Sequence, residues 1–191
     1  MVQSVNMDIK LILPSCEYAQ QIEEFRSKFE NEISDIAGAK IAGGGSLGDG
    51  ICVNEWIAQS EDYRNGRNLP EGFVSATQFL AVRPSDNKLV GVFAIRHELT
   101  PHLERIGGHI GYSVSPDVRR KGYATQMLRL GLLECEKLGI ERVRITCVKE
   151  NIASAGVIKK CGGVDDGEAE FDGKTFNRFW IYMGDENASN V

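Results

Sequence analysis

Between residues 108 and 138 the chain changes its hydrophobic period once. Residues 108–115 (GHIGYSVS) alternate between apolar and small or polar side chains, which reads as a strand. From about residue 121 to 138 the apolar positions Ala124, Met127, Leu128, Leu132 and Cys135 fall at helical spacing, and Gly139 follows as a C-terminal cap. Between them the alternation stops at Pro116, and Arg119, Arg120, Lys121 and Gly122 follow. A strand that feeds a long amphipathic helix through so short a turn must lay that helix back on a sheet.

The flanking sequence supplies the other layers. Residues 8–13, 77–83, 89–96, 142–148, 164–171 and 176–183 read as strands, the last two as a hairpin around Asp172-Gly173. Residues 16–33, with Ile22, Phe25, Phe29 and Ile33 at helical spacing, residues 51–62 and residues 151–161 read as helices. Residues 34–50 read as a glycine-rich loop and 63–75 as irregular. Helices and strands alternate only in the centre. The expected class is therefore α/β (α+β): one domain over 1–191 with a mixed, mostly antiparallel central sheet of six to seven strands and about four helices.

Composition narrows the partners. Of 191 residues 42% are hydrophobic, enough for a sizeable core, and the net charge of -5 argues against a nucleic-acid or membrane-surface binder. No apolar run approaches the ~20 residues of a membrane span. The opening segment lacks the basic start and long apolar core of a signal peptide. Cys16, Cys52, Cys135, Cys147 and Cys161 are odd in number and form no CxxC pair, which points to free thiols in a cytoplasmic protein rather than a disulfide framework or a zinc site, and no metal cluster is visible.

In an acidic protein the basic turn at 119–121 is a local exception that asks for a local anion. A helix N-terminus presents unpaired N–H groups and partial positive charge, and Gly122 and Ala124 let a ligand approach the backbone. The Walker pattern and GxGxxG are both absent, and GGGSLGDG at 43–50 lacks the lysine and preceding strand of a phosphate loop. What remains is Arg119-x-x-Gly122-x-Ala124 between strand and helix, suited to a pyrophosphate.

That spacing, with GHIGYSVSPDVRRKGYATQML before it and ENIASAGVIKKCGG after the strand 142–148, resembles the GNAT superfamily of acyl-CoA N-acyltransferases over residues 77–183. The resemblance implies an enzyme that moves an acetyl group from acetyl-CoA to a primary amine, on a small molecule or a peptide. A module of this fold that holds acyl-CoA without turnover is the alternative. It also implies that amides from Arg120 through Lys121, Gly122 and Tyr123 to Ala124 hold the pyrophosphate, together with the Arg119 charge. The strand edge at Ser113 and Val114 would pair with the pantetheine arm, and Asn151 would touch that arm. Residues 34–76, with Trp56, Tyr63 and Phe73, would form the acceptor side. A homodimer is compatible with the resemblance.

Many relatives place a carboxylate as base where this chain has His109, so His109 is the leading candidate base, with His97 and Glu98 behind it. The competing reading of His109 is a buried histidine bonded to backbone. The tyrosine that relatives place seven residues after the asparagine is Ile158 here, which leaves Tyr112, Ser154 and Cys147 as candidates for the acid. The N–H of Val114 or a neighbour is the oxyanion donor that the resemblance implies.

Overall fold

A computed structural model describes residues 8–30 and 40–184. In chain order the elements are β1 (Lys10–Ile12), α1 (Ala19–Ser27), α2 (Val53–Arg64), β2 (Ala76–Arg83), β3 (Lys88–Arg96), α3 (Pro101–Arg105), β4 (Ile110–Val114), α4 (Tyr123–Lys137), β5 (Arg142–Val148), α5 (Ile152–Lys160), β6 (Val164–Phe171) and β7 (Lys174–Tyr182). Among the described residues the architecture is mixed α/β with seven strands and five helices, the class expected from the sequence. The expected single sheet divides in two. Strands β1-β2-β3-β4 form one antiparallel sheet and β5-β7-β6 another. The expected helix at 16–33 begins as a 3-10 turn at Cys16–Tyr18 and runs as α1 to Ser27; Ile33 lies outside the described residues.

One short helix, α3, has no sequence period, because five residues are too few to show one. Its signals are local: Thr100 caps it by accepting the Leu103 N–H at 3.2 Å, and Pro101 opens it.

The first sheet is covered on both faces, and strand alternation decides which residue goes where. Phe79, Ala81, Val90, Phe93, Ile95 and Ile110 face α4 in one core. Leu80, Val82, Leu89 and Val92 face the other way, against Ile22 and Phe25 of α1 and Val53 and Trp56 of α2. Helix α4 sits close to the sheet because Gly131 leaves room for Phe93: a Cβ there would lie 2.0 Å from the Phe93 ring. Phe93 in turn stacks with Tyr112 of β4 at 6.3 Å.

Gly131 therefore sets the height of α4 over the strands. In an open helix Gly→Ala would stabilise by about 1 kcal/mol. Against a fully buried ring the overlap wins, so Gly131→Ala should destabilise by about 1–3 kcal/mol, seen as a lower midpoint in denaturant unfolding.

Candidate active site

Strands β4 and β5 meet at one end only. The Gly108–Ile145 bridge joins the two sheets. The His109 N–H donates to the Arg144 carbonyl at 2.8 Å, and the Gly107 N–H donates to Thr146 Oγ1 at 2.9 Å. Beyond this fastening no ladder joins β4 to β5, so the strands splay. The β3–β4 register says which groups of β4 face the gap. Arg96 N–H donates to the His109 carbonyl at 2.8 Å and Ser115 N–H to the Val90 carbonyl at 2.9 Å. Antiparallel pairs alternate, so Gly111 and Ser113 also turn their amides toward β3, while Ile110, Tyr112 and Val114 turn theirs toward the gap. Ser113 and Val114, taken together in the sequence, thus play different parts: Val114 has backbone groups toward the gap, and Ser113 does not.

Downstream of β4, Val118 is buried and anchors the turn. Arg120 and Gly122 both have positive φ, 66° and 82°, which bends the chain into the mouth of α4. Gly122 is the N-cap, and no side chain caps the helix. The first main-chain bond is Gln126 N–H to the Gly122 carbonyl at 3.2 Å, so the Tyr123, Ala124 and Thr125 amides have no helical partner. A Cβ on Gly122 would meet nothing within 4 Å. The mouth is open, with exposed Arg119, Arg120 and Lys121 around it. These residues fit a pyrophosphate: charge, free amides and room coincide. The Tyr123 side chain does a different job. It is buried, and its hydroxyl accepts from Arg83 at 2.8 Å, tying the helix start to β2.

On the other side of the gap Asn151 caps α5, accepting the Ser154 N–H at 3.0 Å. Ser154 Oγ lies 2.9 Å from the Tyr112 hydroxyl, so a hydroxyl pair bridges β4 and α5. Burial holds the Tyr112 phenol well above its ordinary range and raises the Cys147 thiol, which disfavours thiolate chemistry at Cys147. Ile158 is fully buried core.

The candidate bases are not brought together. His109 is buried, and its Nδ1 accepts the Arg144 N–H at 2.9 Å. An N–H donor at Nδ1 fixes the proton of the neutral ring on Nε2, so the one lone pair is engaged. Burial first, then the charges of Arg96 and Arg144, push its pKa from 6.5 down to about 4. The sequence-based assignment of His109 as a general base does not match this geometry; the backbone-bonded reading does. His97 contacts Thr77 Oγ1 at 2.8 Å. Thr77 is paired with Ile95 and so lies on the α4 side of the sheet, opposite His109. Glu98 is exposed.

The face carrying His109 is the one covered by residues 43–48. These glycines do not form a loose loop. Leu47 is fully buried and Trp56 Nε1 donates to the Gly44 carbonyl at 2.8 Å. Gly43 lies directly on β4: a Cβ there would be 2.2 Å from the Gly111 carbonyl oxygen and 2.9 Å from the Tyr112 nitrogen. The glycine segment therefore covers β4, Trp56 packs beside Leu80 and Val92, and Tyr63 and Phe73 pair with each other, 6.3 Å apart. Two polar residues of this face were missed in the sequence, Gln78 and Arg96. Their signal is a polar side chain inside an apolar strand, in ATQFLAVR and GVFAIRH. Among the described residues no group of three or more His, Cys, Asp or Glu is placed to hold a metal, and no helix is long and apolar enough to cross a membrane.

A strand pair joined at one end beside a helix mouth without a side-chain cap brings unpaired main-chain groups and an anion site together. Residues 52–164 match the acetyltransferase (GNAT) domain, and the chain belongs to the GNAT acetyltransferase family. It is an acyltransferase whose acyl donor is acetyl-CoA. No curated protein matches. Solved structures share the fold at low identity. A ribosomal-protein alanine acetyltransferase from Vibrio fischeri has a TM-score of 0.69 and 16% identity over 93% of this chain and 94% of its own. The microcin self-immunity acetyltransferase MccE, in complex with acetyl-CoA and AMP, has a TM-score of 0.67 and 19% identity over 94% of each chain. An acetyltransferase from Salmonella typhimurium that modifies the N-terminal serine of a 50S ribosomal subunit protein has a TM-score of 0.65 and 16% identity, covering 94% of this chain and 97% of its own.

The buried neutral His109 makes stability depend on pH. Its folded pKa, about 4, lies below the unfolded 6.5, so the unfolded chain binds more protons between them. The stabilisation is full above 6.5 and is lost as pH falls toward 4. Thermal melts of the wild type should drop over that interval more steeply than those of His109→Gln.

Proposed function

We propose that the chain is an N-acetyltransferase that moves the acetyl group of acetyl-CoA to a primary amine. The observation that carries this reading is the uncapped, glycine-led mouth of α4 at the exit of β4, within the family match. Amides from Arg120 to Ala124, with the Arg119 and Lys121 charges, hold the pyrophosphate. The Val114 and Tyr112 main-chain groups that face the gap pair with the pantetheine arm, and one of their N–H groups steadies the thioester oxygen. Asn151 borders the same arm.

The amine lone pair attacks the thioester carbon, the C–S bond breaks, CoA leaves as thiolate and the surplus amine proton passes to water. His109 fastens β4 to β5 rather than taking that proton. The acceptor reaches the thioester as the free base, because burial first, and then the Arg96 and Arg144 charges, keep His109 neutral and would disfavour an ammonium beside it in the same way. The fold neighbours act on different acceptors, including a ribosomal-protein N-terminal serine. A peptide α-amine is therefore one candidate class among small amines.

Incubation with acetyl-CoA and a panel of small amines, polyamines and peptides with free α-amines, read by release of the CoA thiol, should give turnover with at least one acceptor. No turnover together with no acetyl-CoA binding in calorimetry would sink the reading. The acid limb of the rate profile should move with the pKa of the acceptor amine, not stay near 6.5. Gly122→Val places a β-branched side chain at φ 82° in the open mouth. It should weaken CoA binding by about tenfold or more, measured by calorimetry.

A further inference from the structure

The basic turn carries a single carboxylate, Asp117, just ahead of a helix mouth suited to a pyrophosphate. Like charges repel, so a carboxylate in that place needs a reason. Its partners supply one. Asp117 accepts from Lys88 Nζ at 3.0 Å, from Lys28 Nζ at 3.2 Å and from the Ser115 hydroxyl. Lys28 caps the end of α1, Lys88 opens β3, and Ser115 is fully buried at the exit of β4. One side chain therefore fastens the start of the turn to α1, to β3 and to β4. The Ser115 hydroxyl first, and then the two ammonium groups, hold its carboxyl well below the ordinary carboxylate range.

The far end of the turn is held from the same hairpin. Arg83, at the end of β2, donates to the Tyr123 hydroxyl at 2.8 Å and pairs with Asp86. The β2–β3 hairpin thus grips the turn on both sides, by Lys88 at Asp117 and by Arg83 at Tyr123. Between the grips Arg120 holds φ at 66° and Gly122 at 82°. Glycine adopts that region freely; arginine does not, and it stays there only where its surroundings fix it. The Arg119 guanidinium adds a contact to the end of α1, 5.7 Å from the Phe29 ring centroid. A turn fixed in this way aims its amides before a ligand arrives, and a site shaped in advance loses less entropy on binding.

We propose that Asp117 is a positioning residue for the acetyl donor: through Lys28, Lys88 and Ser115 it holds residues 118–122 in the conformation that receives the CoA pyrophosphate. This rests on the acetyltransferase reading and adds to it the device that shapes the donor turn. Asp117 acts through the turn and not by touching acetyl-CoA.

The test is Asp117→Asn, which keeps the shape and can keep the Ser115 contact but releases both lysines. Charge alone would then tighten binding, because a negative group beside the anion site is lost and two ammonium groups are freed. Positioning gives the opposite sign. The calorimetric Kd for acetyl-CoA should rise by about fivefold, the size of one lost, partly exposed ion-pair network. With whichever amine in the panel the wild type acetylates, the acceptor KM and the kcat at saturating acetyl-CoA should hold. An unchanged or lower Kd would overturn the proposal. Donor and acceptor constants rising together with a lower thermal midpoint would overturn it too, as loss of the fold. Both results leave the acetyltransferase reading intact. If the wild type itself binds no acetyl-CoA, that reading fails instead, and a second readout still judges Asp117. Arg119, Arg120 and Lys121 are trypsin sites inside the turn. Without ligand, cleavage after them should be at least about threefold faster in Asp117→Asn than in the wild type. An equal rate would show that the turn keeps its shape without Asp117 and would reject its positioning role.

Discussion

The one-ended join between β4 and β5 governs the rest of this structure. The Gly108–Ile145 bridge, the His109–Arg144 exchange and the Gly107–Thr146 bond close the strands at one end. Past that point each strand keeps its own sheet. Gap-facing main-chain groups of β4 are left to pair with something else, and a main-chain group left unpaired in a protein interior is expensive. Tyr112 and Ser154 bridge the same gap by hydroxyls rather than by a ladder. The gap is thus held open by packing and closed at its base by a histidine.

The chemistry of that histidine follows from its structural job. A buried ring whose lone pair holds a main-chain N–H, and which feels the Arg96 and Arg144 charges, stays neutral across the physiological range. Arg144 tolerates its burial by other means. It pairs with Asp166 at 2.7 Å and stacks over Trp180 at 3.9 Å, while its Nε and Nη1 stay unpaired. The field around His109 is therefore cationic, and it lies on the sheet face that the glycine segment covers. The opposite face is committed to α4 and Phe93.

The local geometry of the proposed donor side was legible because it is written in contiguous sequence. The turn Arg119 to Ala124 and the cap Asn151 are local devices: φ, spacing and capping are decided within a few residues. The surroundings of His109 were not legible in the same way. His109 looked like a base because a free imidazole suits the task, and only the Arg144 N–H, 35 residues away, removes its lone pair. His97 stood behind His109 as a candidate base, and strand alternation puts Thr77, the partner of His97, on the face opposite His109. Gln78 showed only as a polar residue in an apolar strand until the register aligned it with Ala94 and Gly111.

By itself the sequence determined the order of the long strands and helices, the helix that follows β4, and the glycine and basic residues at its mouth. All of these depend on period, capping and backbone freedom over short range. The tertiary structure alone decided that the sheet divides between β4 and β5, that the glycine segment lies on β4, and which polar groups are spent and which are left unpaired. Those outcomes depend on pairings between residues tens of positions apart, where burial and register, not local pattern, set the energy.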